Sequence, residues 1–186
     1  MTMHESVLFK GRPEVGSRSE IEERCYELLD GLNIDFIRVD HDEAMSMEDL
    51  DEADKVLGCT IAKNLFLTNR QQTDFYLLIM PGSKPFKTKY LSAQLGCSRL
   101  SFASEDKLTE LLGVKSGSAS LLGLMNDEGK NVRLVFDKEL LSEKLFACHP
   151  CKNTSSIAFF MEDMLSKLIP ALGHEFSEVE LPWEFE

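Results

Sequence analysis

Residues 61–80 read IAKNLFLTNRQQTDFYLLIM, two apolar segments on either side of a short polar loop. Both segments, 61–68 and 75–80, are apolar at successive positions, which is typical of strands covered on both faces of a sheet. The polar residues 71–74 between them predict a hairpin loop. The stretch therefore predicts two central strands of a layered domain.

Helical and strand patterns alternate on both sides of this hairpin. Helices are predicted where apolar residues recur at helical spacing after a capping residue, and strands where short apolar runs end at turn residues. The predicted helices are 19–32, 46–58, 88–95, 104–112 and 162–168, the last ending at Pro170, and the further strands are 34–39, 100–103, 121–125, 132–136, 145–149 and 156–160. Strands joined by both hairpins and helices predict a mixed α/β fold.

Length and composition limit the class of protein. A chain of 186 residues with 43% hydrophobic residues has the size of one domain with a substantial core. We expect no membrane association, because no apolar run approaches the roughly 20 residues of a membrane span and no secretory signal is apparent. Five cysteines are too few for a disulfide framework. These features predict a cytoplasmic protein.

Charge is distributed unevenly along the chain, whose net charge is −12 at pH 7. Residues 14–54 carry 15 acidic and 3 basic side chains, whereas residues 63–115 carry 8 basic and 4 acidic ones. The net charge argues against non-specific nucleic-acid binding, and DNA is not an expected partner. We expect the acidic block, residues 14–54, to turn away from a bound polyanion, and the basic stretch, residues 63–115, to face it.

Cys148 and Cys151 have the spacing of a redox dithiol. A reactive dithiol needs its first cysteine at a helix N-terminus, but a predicted strand precedes this one and a polar turn follows it. A structural zinc site would need two more ligands at short spacing, and the other cysteines stand alone. We therefore predict neither a metal site nor a cofactor.

Three further segments carry candidate chemistry. Lys63 and Asn64 open an apolar strand, where an ammonium group that is not at a solvated rim needs an anionic partner or a substrate. Small residues at 117–120 allow a backbone to approach a ligand and to aim amides at an oxyanion, although an ordinary loop has the same composition. His149 ends a strand before Pro150, a position compatible with either a structural or a functional histidine.

Taken together and in this order, these segments resemble the YbaK-like superfamily of free-standing aminoacyl-tRNA deacylases, which is related to the editing domain of bacterial prolyl-tRNA synthetases. The resemblance is greatest to its alanyl-tRNA(Pro) deacylase branch. It is carried by KNLFL at 63–67, by GSASLLGLMND at 117–127, and by His149-Pro150 followed by Asn153-Thr154.

The resemblance implies a curved mixed sheet flanked by helices, and hydrolysis of the ester of a mischarged tRNA, most simply alanine on tRNA(Pro). It spans residues 19–170, leaving an N-terminal extension, 1–18, and an acidic C-terminal tail, 171–186. The 3′ end of the tRNA is the implied partner, with a synthetase as a further one. The implied catalytic residues are Lys63, Gly117 and Ser118, and the implied substrate-binding residues are Asn64, Ala119, Leu121, His149, Asn153 and Thr154.

Leu121 departs from the family pattern, which has proline four residues after the glycine of the loop. Two other hypotheses therefore stay open beside the deacylase. The first is a non-catalytic tRNA- or oligonucleotide-binding module of the same fold. The second is a thiol-redox protein that uses Cys148 and Cys151.

Overall fold

A computed structural model describes residues 6–186. Two sheets and the helices around them form the domain. The smaller sheet has four antiparallel strands in the order β1-β2-β8-β7, and the larger has five in the order β5-β3-β4-β6-β9. The strands are β1 (Leu8–Lys10), β2 (Ile37–Asp40), β3 (Lys63–Thr68), β4 (Phe75–Met80), β5 (Ser101–Phe102), β6 (Val132–Asp137), β7 (Leu145–Cys148), β8 (Ser155–Phe160) and β9 (Phe176–Val179).

Helices cover the faces of these sheets. They are α1 (Glu20–Gly31), α2 (Asp51–Leu57), α3 (Thr88–Leu95), α4 (Glu105–Leu112), α5 (Met161–Asp163) and α6 (Ile169–Leu172). Short 3-10 helices lie at Glu48–Leu50, Leu121–Asn126 and Leu140–Ser142. No helix in the described part of the chain is both long and apolar enough to cross a membrane.

The predicted central hairpin is formed by β3 and β4. Their antiparallel pairing runs from Lys63 opposite Met80 to Thr68 opposite Phe75. Every residue of β4 is buried, because Leu77 and Ile79 face one core cluster and Leu78 and Met80 face another. Coverage of both faces explains why the segment lacks polar alternation.

The predicted mixed α/β class is confirmed, but the strands form two sheets rather than one curved sheet. β3 is antiparallel to β4, whereas β6 is parallel to β4. The Ala62 amide donates to the Ala147 carbonyl at 2.9 Å, which connects the start of β3 to the smaller sheet. The segments that contain the candidate site residues Lys63 and His149 therefore lie close together where the two sheets meet.

Two predicted elements differ in the structure. Residues 121–125 form a 3-10 helix rather than a strand, because Ser120 Oγ accepts a hydrogen bond from the Leu122 amide and caps it. The apolar run there reflects burial and not sheet pairing. The last helix also does not end at Pro170: residues 161–172 are continuously helical, with a π-helical segment at Met164–Leu168 just before this proline, and α6 ends at Leu172 with Gly173 as its C-cap.

The segments that flank the predicted editing domain are built into the sheets. β1, from the predicted extension 1–18, pairs with β2. β9, from the predicted acidic tail 171–186, pairs in parallel with β6. The sequence did not predict this strand, which lies at the edge of the sheet, because its acidic residues alternate with only a few apolar ones.

Buried Lys84 anchors the C-terminal segment. Its Nζ lies 2.8 Å from Asp137 Oδ2 and 2.7 Å from Glu139 Oε2, and it donates to the Leu181 carbonyl at 2.9 Å. Trp183 Nε1 donates to Glu139 Oε2 at 2.9 Å. The C-terminal residues are therefore part of the folded domain.

Candidate functional site

A cavity of about 380 Å³ opens where the two sheets meet. Its walls come from the loop after β2, the start of β3, the β5–α4 region and the loop before the 3-10 helix 121–126. Five of the nine predicted site residues line it, namely Lys63, Asn64, Gly117, Ala119 and His149. The other four, Ser118, Leu121, Asn153 and Thr154, are not part of the lining.

Lys63 contributes a positive charge to this cavity. Its Nζ donates to the Lys84 carbonyl at 2.5 Å, and burial lowers the pKa of the Lys63 ammonium from its usual value, against a smaller opposite effect of Glu48. An ammonium group has three donors, and this neutral acceptor occupies one of them. The remaining donors are available to an anionic group in the cavity.

The Asn64 side chain lies on the face of β3 opposite to that of Lys63, and it links β3 to the 3-10 helix 121–126. Its Oδ1 accepts from the Leu121 amide at 2.8 Å, and its Nδ2 donates to the Ala62 carbonyl at 3.1 Å. Leu121 itself is fully buried in the main core. Asn64 and Leu121 therefore position the loop, and the departure from the family proline lies beneath the cavity rather than in its wall.

The loop before Leu121 carries backbone donors. Gly117 has φ +82°, and a side chain there would bring its Cβ to 3.2 Å from Asn153 Nδ2. The Ser118 amide is used within the loop, donating to the Lys115 carbonyl at 3.0 Å. Within residues 6–186, the amides of Gly117 and Ala119 donate to no protein acceptor. Those two amides, and not that of Ser118, are free for a ligand.

Ser118 and Asn153 hold the walls of the cavity together. Ser118 Oγ accepts from the Asn153 amide at 3.1 Å, and Asn153 Nδ2 donates to the Ala44 carbonyl at 3.0 Å. The Thr154 carbonyl accepts from the His41 amide at 3.0 Å. Asn153 and Thr154 thus hold the loop 41–45, and Ser118 holds Asn153. The sequence predicted a catalytic role for Ser118 and substrate contacts for Asn153 and Thr154.

His149 presents a hydrogen-bond acceptor to the cavity. Its Nδ1 lies 2.8 Å from the Ser155 carbonyl, which requires a proton on Nδ1 and leaves a lone pair on Nε2. Nε2 has no protein partner in the described chain, and the ring lines the cavity. Burial lowers the pKa of His149 to about 4, with a smaller contribution from His41, so the ring is neutral at pH 7.

Sequence reasoning missed two residues that orient this ring. Ser156 Oγ lies 3.2 Å from His149 Nδ1 and 2.8 Å from His41 Nε2. His41 Nδ1 in turn lies 2.7 Å from the Asp42 carbonyl, so its Nε2 accepts the serine proton when the ring is neutral. Nothing in the sequence linked positions 41, 149 and 156, because the pairing of β8 with both β2 and β7 brings them together.

The cysteines beside His149 are poorly suited to redox chemistry. Cys148 and Cys151 are buried, and burial raises the pKa of the Cys148 thiol to about 12. A thiol rather than a thiolate is a weak nucleophile. In the part of the chain that the structure describes, no group of metal-binding side chains comes together either.

The acidic block contributes one wall of the cavity, through residues that are not themselves acidic. Met45, Ser46, Met47 and Leu50, which lie among its acidic residues, form one wall. Lys63 and the loop at 116–119 come from the basic stretch. The cavity therefore lies at the boundary between the two charge regions.

A mixed α/β domain whose cavity combines an ammonium group, free backbone amides and a neutral histidine is equipped to bind a small polar ligand with a developing negative charge. The profile of the aminoacyl-tRNA editing domain family matches residues 41–166, which include every wall of the cavity. The chain belongs to this family, and the resemblance seen in the sequence is confirmed.

Individual relatives agree with this assignment. The chain is 35% identical over 153 residues to the prolyl-tRNA editing protein ProX of Acetoanaerobium sticklandii, covering 82% of this chain and 93% of the relative. It is 31% identical to prolyl-tRNA synthetase associated domain-containing protein 1 of Mus musculus, covering 85% and 92%. A crystal structure described as a candidate trans-editing enzyme for prolyl tRNA synthetase shares the fold, with a TM-score of 0.66 at 15% identity, over 89% of this chain and 100% of that one.

Proposed function

We propose that this protein is a trans-editing deacylase that hydrolyses the ester of a mischarged tRNA, with alanine on tRNA(Pro) as its substrate. One observation carries the proposal: Lys63 lines the same small cavity as Gly117 and Ala119, whose amides donate to no protein acceptor in the described residues. A relative named as a prolyl-tRNA editing protein supports the choice of tRNA.

The chemistry requires stabilisation of a tetrahedral oxyanion. Water attacks the carbonyl carbon of the activated ester, and negative charge develops on the carbonyl oxygen. The ester bond to the ribose then breaks, and the leaving ribose oxygen takes up the proton that the water loses, giving a free amino acid and a ribose hydroxyl. Donors that are already in place stabilise that charge without reorganisation, and each is worth roughly 10²–10³ in rate. We assign this role to Lys63 and to the Gly117 and Ala119 amides.

His149 is assigned to substrate binding, as an acceptor. A histidine with a pKa of about 4 is a weak base at pH 7, so it is poorly matched to removing a proton from water. Its bare Nε2 instead accepts a hydrogen bond from an amino or hydroxyl group of the substrate. Ser118, Asn153 and Thr154 act by holding the loops in place.

The small cavity suits the removal of a small amino acid. A synthetase pocket discriminates against a side chain that is smaller by one methylene by only about 1–3 kcal/mol, so alanine enters a site built for proline. A second, smaller site then accepts alanine and excludes proline by size. This logic also makes prolyl-tRNA synthetase a partner, and the cytoplasm, where tRNA is charged, the expected location.

The proposal is tested by hydrolysis of tRNA(Pro) carrying alanine, cysteine or serine, with correctly charged tRNAs for comparison. We expect the wild type to hydrolyse alanyl-tRNA(Pro) selectively, and Lys63→Ala to hydrolyse it at least about 100-fold more slowly. Lys138→Ala, which removes an exposed lysine outside the cavity, is the matched control and should retain full activity.

The non-catalytic binding module remains the second candidate, because Leu121 replaces the family proline. Its burial outside the cavity wall favours the enzyme, since the replacement leaves Gly117 and Ala119 free. Binding of tRNA(Pro) by the wild type without cleavage of any ester would contradict the deacylase and support the binding module.

A further inference from the structure

The edge of the larger sheet continues the cavity beyond Lys63. Phe102 of β5 lies directly opposite Leu67 of β3. Directly paired residues point to the same face, as do alternate residues along a strand, so Phe102 shares a face with Lys63 and Leu65. Lys63, Leu65 and Phe102 all line the cavity.

Phe102 is unusually exposed for an aromatic side chain. Eight large hydrophobic side chains are exposed within the described residues, and of these Phe102, at 61%, and Met45, at 68%, line the cavity. Phe86 meets the Phe102 ring edge-on, with 6.3 Å between centroids and 73° between planes. The ring thus contacts Phe86 on one side while most of its surface is open to solvent.

We infer that Phe102 is a stacking platform for the terminal nucleobase of the aminoacylated RNA, with Met45 completing the apolar rim. The inference rests on the proposed function and deepens it. If the ester lies at Lys63, one ribose separates it from the base. The four residue steps from Lys63 to Leu67, which lies opposite Phe102, span about 13 Å, a distance that the lysine side chain, the ester and the ribose bridge together.

Charge favours a base-stacking contact over extensive phosphate contacts. The net charge is −12, and acidic residues flank Met45 and Met47 in the opposite wall. Among the described residues that line the cavity, Lys63 is the one lysine or arginine, so a ligand bound there gains little from neutralisation of its phosphates. Stacking of a base on an aromatic ring does not need positive charge and contributes substantially per base.

The test pairs variants with matched substrates. The variants are Phe102→Ala, Phe102→Trp as the conservative change, and Phe160→Ala as a control that removes an exposed ring outside the cavity. The substrates are a chemically alanylated oligonucleotide that ends in adenosine and the same oligonucleotide ending in an abasic ribose. We expect Phe102→Ala to raise KM for the adenosine substrate by roughly 10- to 100-fold with kcat retained, and to change nothing on the abasic one.

Other outcomes overturn the inference. An equal loss on both substrates would mean that Phe102 shapes the aminoacyl site, and no loss on either would mean that the ring contacts no substrate. We expect Phe102→Trp and Phe160→Ala to behave as wild type on both.

A separate binding measurement distinguishes failure of this inference from failure of the proposed function. If the wild type cleaves neither substrate, the Kd of the unacylated trinucleotide cytidyl-cytidyl-adenosine is compared for wild type and Phe102→Ala. At least 10-fold weaker binding by the variant would support base stacking on Phe102 in a protein that does not hydrolyse the ester. An unchanged Kd, or no binding by either protein, would overturn it.

Discussion

His149 shows how much a single hydrogen bond decides at the residue scale. The Ser155 carbonyl at 2.8 Å from Nδ1 assigns the proton to that nitrogen and makes Nε2 an acceptor. The ring is buried and neutral at pH 7, so the function we propose for it in the cavity is to accept a hydrogen bond at Nε2 without taking up a proton. That function follows from geometry that the residue type alone does not specify.

Substitution of His149 by glutamine or by asparagine separates the roles of its two ring nitrogens. Glutamine at position 149 places an oxygen acceptor near the position of Nε2, whereas asparagine places an N–H donor near that of Nδ1. We expect His149→Gln to retain more deacylase activity than His149→Asn, measured as kcat/KM on alanyl-tRNA(Pro). The opposite order would indicate that donation to Ser155, and not acceptance from the substrate, is what the reaction needs.

Asn64 and Leu121 form the second residue-scale unit. Proline at 121 is compatible with the backbone, because Ser120 before it is extended and position 121 opens a 3-10 helix. It has no N–H for Asn64 Oδ1, however, so we expect Leu121→Pro to lose about 1–3 kcal/mol of unfolding free energy from that bond, in addition to packing losses.

A double-mutant cycle isolates the hydrogen bond from the packing. Asn64→Ala removes the acceptor, so Leu121→Pro in that background should cost less than it does in the wild type, as measured by urea denaturation. Strictly additive losses would show that the two residues are not coupled.

At the scale of elements, Lys84 connects the site to the C-terminal segment. Its carbonyl accepts from Lys63 Nζ, while its own ammonium is held by Asp137, Glu139 and the Leu181 carbonyl. The side chain of Lys84 therefore immobilises the backbone group that orients Lys63. Within the described residues, β9 and the segment after it are absent from the cavity lining, and the Leu181 carbonyl connects that segment to Lys84.

Removing the charge of Lys84 leaves Asp137 buried without its partner. Since an uncompensated buried charge is costly, we expect Lys84→Met to lower the unfolding free energy by about 3–5 kcal/mol, as measured in urea. The double variant Lys84→Met, Asp137→Leu should recover part of that loss. A loss below about 1 kcal/mol in the single variant would contradict the buried ion pair.

At the scale of the whole molecule, stability depends on pH in two windows. Burial keeps His149 neutral, so the unfolded chain, with the usual histidine pKa of 6.5, binds a proton that the folded chain does not bind until about pH 4. Stability therefore falls as pH decreases between these values, by at most about 1.4 kcal/mol per unit.

Asp40 contributes to the second window, in which the lowered pKa values of Asp127 and Glu139 act in the same direction. Burial acts to raise its pKa, but hydrogen bonds from Arg38, Arg18 and Ser155 outweigh it and lower the pKa to about 2. Because the folded value lies below the usual 3.8, the stabilisation is present above pH 4 and is lost as pH falls towards 2.

Thermal denaturation between pH 7 and pH 2.5 separates the two contributions. His149→Asn should flatten the decrease between pH 6.5 and 4 and leave the decrease below pH 4 in place. A variant curve parallel to that of the wild type over the upper range would refute the assignment to His149.

The sequence by itself determined the central hairpin, most helix positions and the family. The hairpin was readable because β4 is covered on both faces, so its apolar run is uninterrupted. Helix ends were readable because Gly96 and Gly113 adopt left-handed conformations that favour glycine. Lys63 was noticed because a charged residue is unusual in an apolar strand, and Gly117 because the family resemblance includes its loop.

Only the tertiary structure decided which of the candidate residues face the cavity. Ser118, Asn153 and Thr154 lie behind it, whereas Phe102, His41 and Ser156, which carry no motif, lie at its rim or behind His149. The acidic C-terminal segment became a strand and an anchor through Lys84 and Asp137. These outcomes depend on strand register and on contacts between residues far apart in the chain, which no local pattern records.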